Sequence, residues 1–218
     1  MNTNKKLVIF DLDGTLNDTS LYVIPATRRA LAEMGVTGIT DEEIMRNVGA
    51  SWREACERYL PGQPQEVHRA YSDRYSQAER ELCREQHGTF PGVPELLRQL
   101  KAEGYLLAIC SNASLRYIKM VCGYLEFLPY FDDFAPLEPE MTEKAQSMKK
   151  LLDRLCPDWA VMAGDRHYDL EAARKNGIPF IGCGYGYQRP GELDGADFYA
   201  AAPFQVLQGV HLLEKHRP

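Results

Sequence analysis

The chain has 218 residues, 44% hydrophobic and 26% charged, the balance of a soluble globular protein forming one domain or one domain with an insertion. A net charge of -6 and a pI near 5.4 speak against a nucleic-acid or anionic-membrane surface, so an anionic ligand must be held by local groups against the global field. The six cysteines (56, 83, 110, 122, 156 and 183) contain no CxxC pair and no zinc-like cluster, which reads as reduced thiols in a cytoplasmic setting.

The first predicted element is the apolar run Leu7 to Phe10, too short for a signal-peptide core, and no later stretch approaches a membrane span. It reads as a strand buried on both faces, yet Asp11 and Asp13 follow at once in "FDLDGT". Charge in that position is costly unless it is paired, metal-bound or exposed at a strand end. Two residues apart in extended chain, both carboxylates lean the same way. Gly14 permits a positive φ or close approach to a ligand, and the turn's N–H groups suit an anion.

From residue 17 to residue 88 the pattern is helical. Leu21, Ile24, Leu31 and Met34 mark an apolar stripe closed by Gly35. Thr40 with Glu43, and Ser51 with Glu54, have capping-box spacing ahead of two short helices. Val67, Tyr71, Tyr75 and Leu82 mark a longer amphipathic helix running to about Gln86, with both tyrosines read as packing. Beyond it, Pro94 suits a helix first turn and Gly104 a helix end. Strands are then expected at 105–110, 134–137, 159–163 and 179–183, alternating with helices at 114–124, 142–155 and 169–176. Strands separated by helices imply right-handed crossovers and a parallel sheet covered on both faces.

In such α/β sheets ligands bind beyond the carboxyl ends of the strands, which is where Asp11, Ser111 with Asn112, and Asp165 fall. Asp169, four residues after Asp165, opens a helix and by itself reads equally as a cap. Several carboxylates around one point repel unless a hard cation lies between them, and Mg2+ favours oxygen ligands and bridges to phosphate.

"DLDGT", "SNA" and "GDRHYDLEAA", in that order, resemble the motifs of the haloacid dehalogenase-like superfamily of phosphohydrolases, and the helical insertion resembles the cap of its phosphoglycolate-phosphatase-like branch. The resemblance implies a Rossmann-like core over 1–16 and 89–218 and a helical cap over 17–88. It implies Asp11 as nucleophile, Asp13 as general acid and then base, and a phosphoryl group held by Gly14, Ser111 and the Asn112 backbone. It implies Mg2+ held by Asp11, the Asp13 backbone carbonyl and Asp165, with Asp169 orienting ligands or water. The family also expects a lysine, commonly followed by proline, that neutralises phosphate charge and braces the nucleophile; Lys144, followed by alanine, takes that catalytic and phosphate-binding place, in a helix first turn where the macrodipole disfavours a cation.

The expected activity is hydrolysis of a small phosphorylated metabolite, phosphoglycolate by default, by a cytoplasmic monomer or weak homo-oligomer. Nucleotidase and sugar-phosphate mutase are alternatives. A dehalogenase would have no use for Asp13 or the Asp165 and Asp169 pair, and a non-catalytic binding protein would be free to lose Asp11 or Asp13. The turn "RNVGASWRE" is the expected specificity loop, with Gly49 allowing close approach and Arg46 or Arg53 meeting an anionic substituent. His167 is expected to be supporting or exposed.

Overall fold

In the computed structural model, which describes residues 4–216, the first apolar run lies at the centre of a six-stranded sheet. The strands are β1 (Lys6–Phe10), β2 (Leu106–Ser111), β3 (Asp133–Pro136), β4 (Trp159–Gly164), β5 (Phe180–Cys183) and β6 (Phe198–Ala200). Their order is β3-β2-β1-β4-β5-β6, and every neighbouring pair is parallel. Nine α-helices occupy the described residues: α1 (Ser20–Ala32), α2 (Asp41–Met45), α3 (Trp52–Tyr59), α4 (Gln65–Gln86), α5 (Val93–Ala102), α6 (Leu115–Tyr124), α7 (Lys144–Leu155), α8 (His167–Lys175) and α9 (Pro203–Lys215).

Strand periodicity divides the core. Val8 and Phe10 pack with apolar residues of α5, α6 and α9, while Leu7 and Ile9 pack with those of α7 and α8. The strand order reverses between β1 and β4, so the crevice of this doubly wound sheet opens beyond their carboxyl ends. The sheet and most boundaries match the sequence reading within one or two residues. Beyond the expected elements lie β6, a three-residue edge strand paired only with β5, and α9, whose Val206 and Val210 close one face of the sheet. A strand that short carries no readable alternation.

The segment between β1 and α5 contains only helices and two small apolar clusters of its own, one around Ala30, Cys56, Tyr59 and Tyr71, the other around Val23, Ile44 and Val48. Both capping boxes form: Glu43 Oε2 accepts from the Thr40 N–H at 2.8 Å, and Glu54 Oε2 from the Ser51 N–H at 2.9 Å. The α1 face differs from the expected one. Tyr22, Val23, Ala26, Thr27, Ala30 and Leu31 are buried, whereas Leu21 is 43% exposed. Packing against α4 and α2 rotates the buried stripe by about one residue and admits Thr27, which apolar counting overlooks. The two connections of the helical segment run side by side, with Asn17 bridging Thr89 and Thr89 Oγ1 donating to the Leu16 carbonyl at 2.5 Å.

All six cysteines are free, and no helix of the described residues is long and apolar enough to cross a membrane. The buried face of α4 includes a carboxylate. Glu79 is 9% exposed and accepts a hydrogen bond from Tyr75 OH at 2.6 Å. Burial raises its pKa to about 8, with repulsion from Asp13 adding to the rise and the Tyr75 bond opposing it.

Two stability predictions follow from these positions. Ile9 is fully buried between β2 and β4, so Ile9→Ala should cost about 2 to 5 kcal/mol, read as a lower urea midpoint at unchanged slope. Glu79 binds its proton more tightly folded than unfolded, so its ionisation withdraws stability as pH rises from about 4.5 through about 8. Glu79→Gln should flatten that decline and gain on the wild type at alkaline pH. Parallel stability curves for the two proteins would refute the assignment.

Candidate active site

The ends of β1 and β4 and the start of α7 converge on one point. Asp11 follows β1, its backbone N–H donating to the Ala163 carbonyl at 2.9 Å, so its buried side chain sits beside the end of β4. Asp165 follows β4, and Asp169 lies on the first turn of α8, both fully buried. Carboxylate oxygens of Asp11, Asp165 and Asp169 all lie within 4.8 Å of one another.

Lys144 is the first residue of α7, 4% exposed, and its Nζ donates to Asp11 Oδ1 at 2.8 Å and to Asp169 Oδ1 at 2.5 Å. This explains a cation where the helix dipole disfavours one. Burial alone lowers the ammonium's pKa, but the two carboxylates outweigh it and hold Lys144 above its ordinary value. Asp169 serves both of its sequence readings: Oδ1 takes Lys144 while Oδ2 accepts the Arg166 N–H at 3.0 Å at the helix start.

Asp165 is fixed by Thr15 Oγ1 at 3.2 Å and by the Tyr187 N–H at 2.7 Å. Gly14 makes room for it: its φ is +89°, and a Cβ there would lie 2.3 Å from Asp165 Oδ2. Burial and the neighbouring carboxylates raise Asp11 to about 7 and Asp165 well above the usual carboxylate range. Lys144 offsets only one of the three charges. The remaining excess and the all-oxygen donor set fit a hard divalent cation such as Mg2+.

Asp13 stands apart from that cluster. Its Oδ1 accepts from Asn17 Nδ2 at 2.7 Å, Thr19 Oγ1 at 2.7 Å and Tyr117 OH at 2.8 Å. Burial raises its pKa even against these three bonds. Asp11 and Asp13 border a cavity of about 270 Å3, with Ser111, Asn112, Tyr117, Gly49, Trp52, Tyr75 and Glu79 among its other lining residues. Ser111 is buried at the end of β2, its Oγ accepting from the Ala113 N–H at 3.1 Å.

Of the expected specificity residues, Gly49 lines this cavity with φ +85°, and its carbonyl accepts from Asn112 Nδ2 at 2.8 Å. The two arginines do not reach it. Arg46 is half-exposed and pairs with Glu42 one helical turn away. Arg53 lies over the Trp52 ring and donates to the Pro139 carbonyl at 3.0 Å in an adjoining cleft. The loop does approach the site, but its backbone and apolar residues face inward while local partners draw its cations outward.

Arg166, Tyr117 and Glu79 are among the site residues that the sequence reading passes over, as are Asn17 and Thr19 beside Asp13 and Thr15 and Tyr187 beside Asp165. Arg166 is 1% exposed, pairs with Glu192 at 3.1 Å and donates from Nη1 to the Val48 carbonyl. His167 also pairs with Glu192, through Nδ1 at 2.5 Å, and supports that contact from a partly exposed position. Only Glu79 left a usable trace, because Tyr71, Tyr75, Glu79 and Cys83 repeat every four residues along one helix face.

Comparison with known proteins agrees with this geometry. The family described as haloacid dehalogenase-like hydrolase matches residues 8–183. A 5'-nucleotidase of Pseudomonas aeruginosa is 27% identical over 192 residues, covering 85% of this chain and 86% of its own. A phosphoglycolate phosphatase of Mesorhizobium japonicum is 27% identical over 194 residues, covering 84% of this chain and 85% of its own. The crystal structure of a predicted phosphatase from Clostridium acetobutylicum shares the fold with a TM-score of 0.88 at 23% identity, over 97% of this chain and 100% of that one. The strand-end carboxylates, the parallel sheet and these relatives agree: the chain belongs to the haloacid dehalogenase-like hydrolase family, as a hydrolase of the phosphatase kind.

Proposed function

We propose that the protein is a Mg2+-dependent phosphatase that hydrolyses a small phosphomonoester through an aspartyl-phosphate at Asp11. The observation that carries this reading is the Lys144 bridge, which holds Asp11 within the carboxylate cluster while Asp13 faces the same cavity. An Asp11 oxygen forms a bond to phosphorus as the bond to the alcohol oxygen breaks, and Asp13 gives that oxygen its proton. Burial shifts the Asp13 pKa upward, the direction that favours a proton donor. Asp13, now ionised, takes a proton from water, whose oxygen attacks phosphorus, releases phosphate and restores Asp11. Ser111, the Asn112 backbone and the Gly14 turn hold the phosphoryl oxygens, and Lys144 braces the nucleophile.

Asp11, Asp165 and the Asp13 backbone carbonyl would hold Mg2+, with Asp169 orienting the set. When bound, Mg2+ supplies the positive charge that offsets the phosphoryl oxygens and the clustered carboxylates. Residues 17–88 act as a cap that moves on the paired connections at Asn17 and Thr89. Asn112 to Gly49, Arg166 to Val48, Tyr168 to Glu54 and Arg53 to Pro139 are among the contacts that hold it closed. The reading places the protein in the cytoplasm, as a monomer or weak homo-oligomer.

Asp11→Asn is nearly isosteric and should lower turnover of p-nitrophenyl phosphate by roughly 10^4-fold or more while the fold persists. Activity near that of the wild type would remove the covalent mechanism. Activity should require Mg2+ and be abolished by EDTA. Asp165→Asn should raise the Mg2+ concentration for half-maximal activity by at least about tenfold, since it removes one of few charged ligands. An unchanged half-saturation point would remove Asp165 from the metal.

A further inference from the structure

The 270 Å3 cavity contains Asp11 and Asp13 at one end, and the remainder is the space left for the alcohol of a bound ester. Among the described residues that line it there is no lysine, arginine or histidine. Lys144 is committed to Asp11 and Asp169, and Arg46 and Arg53 have their own partners outside the cavity. The other carboxylate on its wall is Glu79, buried and hydrogen-bonded by the Tyr75 hydroxyl. A carboxylate or second phosphate on the leaving group would therefore be desolvated without a counter-ion and beside existing acids.

The same walls favour a different chemistry. Trp52, Tyr71 and Tyr75 offer flat apolar surface, and Thr27, Ser72 and Ser76 bring hydroxyl groups. Asn112 lines the cavity too, and its buried Oδ1 has no hydrogen-bond partner while its Nδ2 is used by Gly49. A buried acceptor without a donor is costly, and a hydroxyl supplies the donor that an ionised carboxylate lacks.

We propose that this cavity selects phosphomonoesters whose leaving alcohol is uncharged and polyhydroxylated, and discriminates against those carrying a second negative charge. The proposal rests on the phosphatase reading and narrows it. It sets phosphoglycolate, with its carboxylate, among the poor substrates.

Glycerol 3-phosphate and 3-phosphoglycerate make a matched pair, differing at the end remote from phosphate by a hydroxymethyl against a carboxylate. With the full chain and saturating Mg2+, kcat/KM should favour glycerol 3-phosphate by roughly tenfold or more, and phosphoglycolate should fall with 3-phosphoglycerate. Equal or better turnover of either carboxylate overturns the proposal. Ser76→Lys adds a cation to the wall outside the reacting groups. It should raise kcat/KM for 3-phosphoglycerate severalfold relative to glycerol 3-phosphate; an unaltered preference in the folded variant also counts against the charge rule. Ribose 5-phosphate and uridine 5'-monophosphate separate a sugar source of the hydroxyls from a nucleoside source.

Calorimetric binding of the matched pair to Asp11→Asn in the presence of Mg2+ gives a readout independent of turnover. Tighter binding of glycerol 3-phosphate is expected, and equal or reversed affinities, or binding of neither ester, overturn the proposal. If p-nitrophenyl phosphate is not hydrolysed by the wild type, the phosphatase reading fails separately, and the binding comparison still decides the charge rule.

Discussion

Three carboxylates cannot share a buried pocket without a cation, and the Lys144 ammonium between Asp11 and Asp169 is the protein's own partial answer. Much of the surrounding architecture serves that contact. The parallel order places β1 beside β4, so Asp11 and Asp165 leave adjacent strand ends. Helix α7 must begin at Lys144 for its Nζ to arrive from the other side, against the dipole preference of a helix start. A buried pair of this kind contributes little net stability, but leaving one partner alone is strongly unfavourable, so the arrangement is held as a unit.

Around this cluster the two walls of the cavity differ in kind. The sheet side carries charge, held rigidly by strand ends, backbone N–H groups and the Gly14 turn. The helical side carries tyrosines, small hydroxylated residues and one buried acid. Asp13 belongs to both, because Tyr117 binds its carboxylate and also meets Tyr22 OH at 2.7 Å within the aromatic layer. Lys144 pairs within the sheet side, with Asp11 and Asp169.

Polar contacts join the walls beside the apolar ones that Tyr22 and Cys83 make within the main core cluster of the sheet. Arg166 reaches from the fourth strand's loop to the Val48 carbonyl, and Asn112 from the second strand's end to the Gly49 carbonyl. Each joins a side chain of the sheet side to backbone of the 46–54 turn. Such bonds can be exchanged for water at modest net cost, unlike the apolar layers above and below the sheet.

The sheet was legible because buried parallel strands are short apolar runs bounded by turn residues, and the runs before Asp11, Ser111 and Asp165 are all of that kind. The capping boxes at Thr40 and Ser51 were legible because each is closed within four residues. Lys144 could be singled out by its misplacement at a helix start, a local conflict that only a distant anion relieves. The α1 face, the short β6 and the inward position of Arg166 could not be read in the same way, since each depends on contacts between segments far apart in the chain. Arg46 and Arg53 show the limit most plainly: sequence places them on the right turn, but the side of that turn facing the cavity is set by how α3 packs against α4, and that packing turns the backbone inward and the guanidinium groups out.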